Sequence, residues 1–163
     1  MIESNIPAQS SKLLESALQY AKRGYHVFPC HNIKENGQCS CGKGDCNSPG
    51  KHPATKNGYR DATTDEATIR AWWGNTPDRN IGISTGKISG IFVVDVDTNV
   101  KKGKQGAQSL CALTDAHGDA WLDTRQARSG SGGTHYLFKY PETVERIPSR
   151  NDAFGLHVDC KAD

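Results

Sequence analysis

Residues 90–97, GIFVVDVD, form an apolar stretch that predicts a β-strand and carries two aspartates at its end. Side chains alternate between the two faces of a strand, so Asp95 and Asp97 are predicted to share one face, with Val96 on the other. Two neighbouring carboxylates repel each other unless a cation lies between them. The pattern therefore predicts either a site for a hard divalent ion such as Mg²⁺ or Mn²⁺, or a pair of solvated acids that cap the following turn.

A glycine-rich turn with the sequence SGSGGTH follows at residues 129–135. Glycine lets backbone N–H groups approach an anion closely, and the hydroxyls of Ser129 and Ser131 add further donors. His135 opens the next predicted strand and can donate a hydrogen bond to a phosphate oxygen. The turn is a candidate phosphate-binding site, with an ordinary hairpin loop followed by a half-buried histidine as the alternative.

A third acidic position lies close to the end of the sequence. Residues 155–160 predict a strand in which Asp159 is flanked by Val158 and Cys160. The side chain of Asp159 points away from those two neighbours, because successive residues of a strand face opposite sides. If this strand lies beside residues 90–97, Asp159 completes a three-carboxylate metal site; otherwise it is a surface acid on an edge strand.

Helices are predicted where apolar residues recur at helical spacing. The first follows a serine pair at residues 10–11, which can cap it, and ends before Gly24. The second opens with a capping box formed by Thr63 and Glu66. A weaker third helix covers residues 105–116.

The remaining elements are predicted to be strands. Residues 80–85 are expected to pair with residues 90–97 as an antiparallel hairpin, and residues 124–128 with 135–140 as a second hairpin around the Gly/Ser turn. A further strand covers residues 25–29. The sum predicts an α+β fold with a mainly antiparallel central sheet flanked by helices.

Six cysteines are unevenly distributed, and Cys39, Cys41 and Cys46 cluster in a polar, glycine-rich segment. With His52 they offer four zinc ligands within residues 39–52, a segment with too few apolar residues to fold alone. Such clustering in a chain without an export signal favours zinc over disulfides. We therefore predict a small zinc-binding loop.

Two alternatives stay open for this loop. Cys30 or His31 can replace one of the four ligands, because the spacing is tighter than in a standard zinc finger. His52 can instead contact phosphate or template. Nearby cations can contact a nucleic-acid backbone or simply form a solvated basic face: Lys51, Lys56 and Arg60.

Length and composition fit one globular domain over residues 1–163. The formal net charge is +2, which by itself neither requires nor excludes nucleic acid. The sequence has no apolar run long enough to span a bilayer, and its N-terminus lacks the layout of a signal peptide. We expect a cytoplasmic protein without a membrane partner.

A series of segments, taken in order, resembles the bifunctional primase-polymerase family, which is found in phages, plasmids and other mobile elements and belongs to the archaeo-eukaryotic primase superfamily. The segments are HVFPC (26–30), CSCGKGDCNSPGKHP (39–53), DATTDEATIRAWW (61–73), NIGISTG (80–86), IFVVDVD (91–97), SGSGGTHYLF (129–138) and GLHVDCKAD (155–163). The resemblance implies an enzyme, a DNA primase and DNA polymerase. Its partners would be a DNA template, a primer and nucleoside triphosphates.

The resemblance also implies roles for individual residues. Asp95, Asp97 and Asp159 would be the catalytic residues that hold Mg²⁺ or Mn²⁺. The incoming triphosphate would be bound by His135 together with residues of the Gly/Ser turn, namely Ser129, Ser131 and Gly133. Members of the wider superfamily often have Ser-x-His where this chain has Gly133-Thr134-His135, so whether Ser131 supplies the hydroxyl stays open.

Family members usually continue past the third motif, which favours a chain truncated at its C-terminus and leaves room for a helicase domain in a longer parent chain.

Two other functions fit the residues: a non-catalytic zinc-containing nucleic-acid-binding module of a replication protein, and a metal-dependent nuclease. The nuclease uses the same carboxylates but leaves the Gly/Ser turn without a task.

Overall fold

The structure, a computed structural model, describes residues 11–130 and 132–163. The described residues form three α-helices and six β-strands, and all strand pairs are antiparallel, which confirms the predicted α+β class. The chain divides into two compact units between Ser84 and Thr85. No helix in the described part is long and apolar enough to cross a membrane.

The N-terminal unit contains two helices packed on a two-stranded sheet. Its elements are α1 (Lys12–Lys22), β1 (Val27–Cys30), α2 (Glu66–Asn75) and β2 (Asn80–Ile83), with β1 paired to β2. Ser11 caps α1 by accepting a hydrogen bond from the N–H of Leu14 at 3.1 Å. The apolar faces of both helices and of β1 meet in one core, formed by Leu14, Ala17, Ala21, Val27, Ile69 and Trp73.

The second helix begins differently from its prediction. Its cap is Asp65, whose carboxylate accepts a hydrogen bond from the N–H of Thr68 at 2.8 Å. The hydroxyl of Thr63 instead accepts a hydrogen bond from the N–H of Asp65 at 3.0 Å, and its own N–H and C=O are both bonded to Val27 at 3.0 Å. Thr63 therefore belongs to the segment before the helix. The predicted capping box of Thr63 and Glu66 is therefore wrong, although the helix itself is confirmed.

The C-terminal unit contains a four-stranded antiparallel sheet. Its elements are β3 (Ile91–Val96), α3 (Gly106–His117), β4 (Arg125–Arg128), β5 (Thr134–Lys139) and β6 (Val158–Lys161), and the strand order is β4-β5-β3-β6. Leu110 and Leu113 of α3 pack on one face of the sheet. The buried side chains beneath them are Val94, Val96, Tyr136 and Val158.

The predicted hairpin between residues 80–85 and 90–97 is wrong. β2 pairs with β1, whereas β3 pairs with β5 on one side and with β6 on the other. The most apolar strand is stabilised best when neighbours cover both of its edges, so β3 occupies the interior of its sheet and has no edge left for β2. The second predicted hairpin, between β4 and β5, is confirmed.

Candidate functional site

Three polar side chains that could bind a metal ion or a phosphate lie in a row across neighbouring strands of the C-terminal sheet. Asp95 of β3 lies directly opposite His135 of β5, and on its other side directly opposite Asp159 of β6. Directly opposed residues of antiparallel strands share a face, so the three side chains form one row. This is the face turned away from α3, because Val94 and Val96 belong to the core beneath that helix.

The histidine and the central carboxylate form a polar pair within this row. Nε2 of His135 lies 3.3 Å from Oδ1 of Asp95, and the two side chains are 41% and 27% exposed. They rest on a sheet whose other face is buried, yet they remain open to solvent. A polar ligand can therefore reach both groups without displacing the core.

Asp97 lies just beyond the end of β3, where its main chain is held from two sides. Its N–H donates to the carbonyl of His157 and its carbonyl accepts from the N–H of Gly106, both at 3.0 Å. Its Oδ1 accepts from the N–H of Asn99 at 3.2 Å. A Cβ on Gly106 would lie 2.6 Å from the carbonyl oxygen of Asp97, so this junction requires glycine.

The Gly/Ser turn lies against the same end of β3. A Cβ on Gly133 would lie 2.5 Å from the carbonyl oxygen of Val96, so only glycine allows this approach. Thr98 strengthens the contact, because its hydroxyl donates to the carbonyl of Gly132 at 3.1 Å. The turn closes through the N–H of Ser129, which donates to the carbonyl of Gly133 at 2.9 Å. Ser131 lies outside the described residues.

Asp159 is bound by two hydrogen-bond donors. Oδ2 lies 2.8 Å from Nζ of Lys161, and Oδ1 accepts from the N–H of Asp152 at 2.9 Å. Burial raises the pKa of Asp159, but these two donors outweigh it, and the positive charges of Lys161 and Lys104 act in the same direction. The pKa of Asp159 therefore lies below its ordinary value, and the carboxylate is ionised at neutral pH.

The three carboxylates fit a hard divalent ion by their chemistry. Mg²⁺ and Mn²⁺ prefer carboxylate oxygens, and the site offers three carboxylates, one of which, Asp159, is paired with the ammonium of Lys161. The acids do not converge as the cysteine cluster does, which is the one group of three or more Cys, His, Asp or Glu residues gathered for a metal ion in the part of the chain that the structure describes; its ligand atoms all lie within 4.8 Å of one another. Asp159 is turned toward Lys161 and Asp152 instead.

That cluster consists of the four predicted ligands, Cys39, Cys41, Cys46 and His52. Nε2 of His52 lies 3.5 Å from Sγ of Cys39 and 3.4 Å from Sγ of Cys46. A zinc tetrahedron with Zn–S bonds of about 2.3 Å and Zn–N bonds of about 2.1 Å has S···N edges of about 3.6 Å. The observed spacing therefore fits a closed Cys₃His zinc site.

The thiol of Cys39 has the acidity expected of such a site. Burial raises the pKa of Cys39, but the N–H groups of Gly50 and Cys41 and the side chains of Cys41 and His52 outweigh it and lower this pKa to about 6. The N–H of Ser48 lowers the pKa of Cys46, yet burial and the neighbouring sulfurs raise it further, so the net shift is upward. A second thiolate beside the first needs a cation, which is what zinc provides.

The two alternative ligands are not members of the cluster. Cys30 is buried, and burial raises the pKa of its thiol to about 11, which disfavours the thiolate that zinc binds. His31 instead packs its ring on His52, with ring centroids 4.4 Å apart. Its Nδ1 is occupied by Arg79 at 2.7 Å and by Ser40 at 3.0 Å. His31 therefore contacts the cluster through the ring of His52.

A family model described as bifunctional DNA primase/polymerase, N-terminal, matches residues 17–163. The chain belongs to this family. No curated protein matches the sequence. The matched range of this primase/polymerase domain contains both the carboxylate row and the cysteine cluster, and membership implies nucleotidyltransferase chemistry on nucleic acid and nucleotide substrates in general.

Sequence reasoning missed several residues around the acids of this primase/polymerase domain. Lys161 could have been found, because it lies two residues after Asp159 and therefore on the same face of a strand. Asp152 and His157 could not have been found, because their contacts with Asp159 and Asp97 depend on how the loop before β6 folds back.

Proposed function

We propose that this primase/polymerase domain is a metal-dependent, template-directed nucleotidyltransferase that both starts and extends DNA strands from nucleoside triphosphates. The observation that carries the proposal is the row of His135, Asp95 and Asp159 across three neighbouring strands, with Gly133 packed against the end of the central strand. This arrangement brings acids that suit a metal ion beside a turn that suits phosphate. Membership of the family supports the same reading.

In this proposal Asp95, Asp97 and Asp159 hold the Mg²⁺ or Mn²⁺ ions. Bound ions would neutralise the triphosphate and stabilise the charge on the attacking and leaving oxygens. The primer 3′-hydroxyl, or the hydroxyl of a first nucleotide during priming, attacks the α-phosphate, and pyrophosphate leaves. The contribution of the chain is positioning, since Asp97 is held through both its N–H and its C=O and Asp95 lies within the sheet.

The triphosphate is held by His135 and the Gly/Ser turn in this proposal. Nε2 of His135 can turn its hydrogen bond from Asp95 to a phosphate oxygen, because the pair is open to solvent. Backbone N–H groups of the turn and the hydroxyl of Ser129 add donors, and we assign Ser131 the same role from the sequence. Gly133 keeps the turn within reach of the carboxylates.

The cysteine cluster is assigned a structural zinc ion that organises residues 39–52. Its neighbours Lys51, Lys56 and Arg60 are exposed, and we assign them contacts with the DNA template or primer backbone.

We regard residues 1–163 as one catalytic domain that contains this loop, and we expect it to work in the cytoplasm during replication of a mobile element. A helicase domain in a longer parent chain is consistent with this role.

One assay separates the proposed function from its alternatives. The protein is incubated with labelled dNTPs or NTPs, a primed or unprimed template, and Mg²⁺ or Mn²⁺. Extension or primer synthesis supports the polymerase, DNA binding alone supports a non-catalytic module, and degradation supports a nuclease. We expect extension.

The acids provide the matched variants for this assay. Asp95→Asn or Asp97→Asn should reduce synthesis by at least roughly 10²-fold, because an amide neither neutralises nor binds the ions as a carboxylate does. Melting temperatures should hold, because asparagine keeps the shape and relieves repulsion between acids. Asp119→Asn, at an exposed position outside the row, is the control and should synthesise normally. Wild-type rates for either site variant would rule out the metal site.

A further inference from the structure

Two residues other than glycine adopt left-handed backbone conformations in the described part of the chain, and both lie in the loop before β6. Asp152 has φ 51° and His157 has φ 62°. This region is uncommon for residues with a Cβ, although Asp, Asn and His tolerate it better than most, and it is kept where surrounding contacts favour it. Asp152 contacts Asp159, and His157 contacts Asp97, so both lie beside the carboxylate site.

Asp152 closes the loop and contacts Asp159. Its carboxylate accepts a hydrogen bond from the N–H of His157 at 2.6 Å, which joins the two left-handed residues. Its own N–H donates to Oδ1 of Asp159 at 2.9 Å. Since Lys161 holds the other oxygen, the orientation of the Asp159 carboxylate depends on where the loop presents that N–H.

His157 reaches the other side of the site. Its carbonyl accepts the N–H of Asp97 at 3.0 Å, and its Nδ1 accepts the N–H of Gln105 at 3.0 Å, next to the start of α3. A Cβ on Gly106 would lie 2.8 Å from the carbonyl oxygen of His157, so no larger residue fits this junction. In its left-handed conformation His157 therefore makes two contacts at once: its carbonyl binds the N–H of Asp97, and its ring binds the N–H of Gln105, the residue before α3.

We propose that Asp152 and His157 are positioning residues that set Asp97 and Asp159 at the separation required for the divalent ions. The inference rests on the proposed function, because it assigns these two acids to metal binding. The loop acts as a brace: one end holds the side chain of Asp159, the other holds the main chain of Asp97, and the hydrogen bond between Asp152 and His157 couples the ends. Neither positioning residue needs to touch the ion or the substrate.

The test uses Mn²⁺ binding to the full chain, measured by electron paramagnetic resonance or calorimetry. Asp152→Ala removes the acceptor for the N–H of His157 and disfavours the left-handed backbone. Mn²⁺ affinity should therefore fall about tenfold, which is typical when a hydrogen-bond partner of a metal ligand is removed. Asp152→Asn keeps an acceptor and tolerates the same conformation, so it should restore most of the affinity. Asp119→Ala removes an exposed acid elsewhere in the same unit and should bind as wild type.

Outcomes for this inference and for the proposed function can be told apart. If Asp95→Asn still binds Mn²⁺ as wild type, the metal site itself is wrong. If Asp95→Asn loses Mn²⁺ while Asp152→Ala keeps it, the brace is wrong and the metal site stands. Equal losses in Asp152→Ala and Asp152→Asn would show that charge rather than geometry matters, which also overturns the inference.

A second pair of variants distinguishes a specific loss of Mn²⁺ binding from a loss caused by unfolding. If Asp152→Ala lowers the melting temperature by more than a few degrees, His157→Ala and His157→Asn repeat the comparison, since asparagine again tolerates the left-handed region and offers an acceptor. Rescue by asparagine, with zinc content unchanged in every variant, supports positioning. Failure of asparagine to rescue in this pair rejects it.

Discussion

At the scale of single residues, a substitution at His135 can distinguish a role in triphosphate binding from a role in core packing. Its Nε2 contacts Asp95, and its side chain is 41% exposed, so it contributes little to the core. His135→Ala should weaken triphosphate binding, by roughly tenfold for one lost charged hydrogen bond, while DNA binding and the melting temperature hold. Affinities for a dNTP and for a primed template, measured separately, check this. A joint fall of both affinities and of stability would make His135 a structural residue.

Gly133 offers a second residue-scale test, this time of packing. Alanine at this position places a Cβ 2.5 Å from the carbonyl oxygen of Val96, so the turn must move away from β3. Gly133→Ala should destabilise the fold by about 1–3 kcal/mol, which is typical of overpacking, and should weaken triphosphate binding. Gly130→Ala meets no atom within 4 Å and should leave the urea midpoint unchanged. Equal midpoints for the two variants would show that the close approach is unimportant.

At the scale of elements, the start of α2 depends on an ionised cap. The side chain and N–H of Thr68 hold the pKa of Asp65 below its ordinary value. A lowered carboxyl pKa stabilises the folded state fully above the unfolded pKa of about 3.9, and this contribution is lost as the pH falls through the folded pKa. Wild type should therefore melt above Asp65→Ala at pH 7, and the difference should shrink below about pH 4.

Asparagine is the matched control for this cap. Asp65→Asn keeps an N-cap acceptor but cannot ionise, so its advantage over Asp65→Ala should not change with pH. Melting temperatures of the three proteins between pH 3 and pH 7 check the prediction. A pH-dependent advantage for asparagine would assign the effect to another group.

At the scale of the whole molecule, the cysteine cluster and the carboxylate row belong to different compact units. Elemental analysis of protein purified without added metal should give about one zinc per chain, because thiolate and imidazole ligands favour zinc over magnesium. Cys46→Ser should lose this zinc, increase hydrogen exchange in residues 39–52 and reduce DNA binding. The triphosphate site should survive, since its residues lie on β3, β5 and β6.

Cys111→Ser is the control for the zinc experiment, because Cys111 is an exposed cysteine outside the cluster. It should keep its zinc and its hydrogen-exchange pattern. Zinc-free protein with a protected loop, or mass spectrometry that finds Cys39, Cys41 or Cys46 in disulfides, would contradict the zinc assignment. Either result would leave the carboxylate row untouched.

Local patterns in the chain were sufficient to predict much of this molecule. The apolar stretch at residues 90–97 predicted a strand with Val96 on the face opposite the two aspartates, and in the confirmed β3 Val96 lies in the core beneath α3. The spacing of Cys39, Cys41, Cys46 and His52 predicted the cluster that the fold assembles. These features depend on side-chain periodicity or on ligands close in sequence, so short-range information contains them.

Other features were decided by tertiary contacts. β3 pairs with β5 and β6 rather than with β2, and only this pairing brings His135 and Asp159 beside Asp95. The cap of α2 is Asp65 rather than Thr63, because the backbone of Thr63 pairs with Val27 and places Thr63 before the helix, where its hydroxyl accepts from the N–H of Asp65. The contacts of Asp152 and His157 arise in the same way. Strand partners are selected by how the whole sheet buries its apolar face and satisfies its backbone, and no local periodicity encodes that choice.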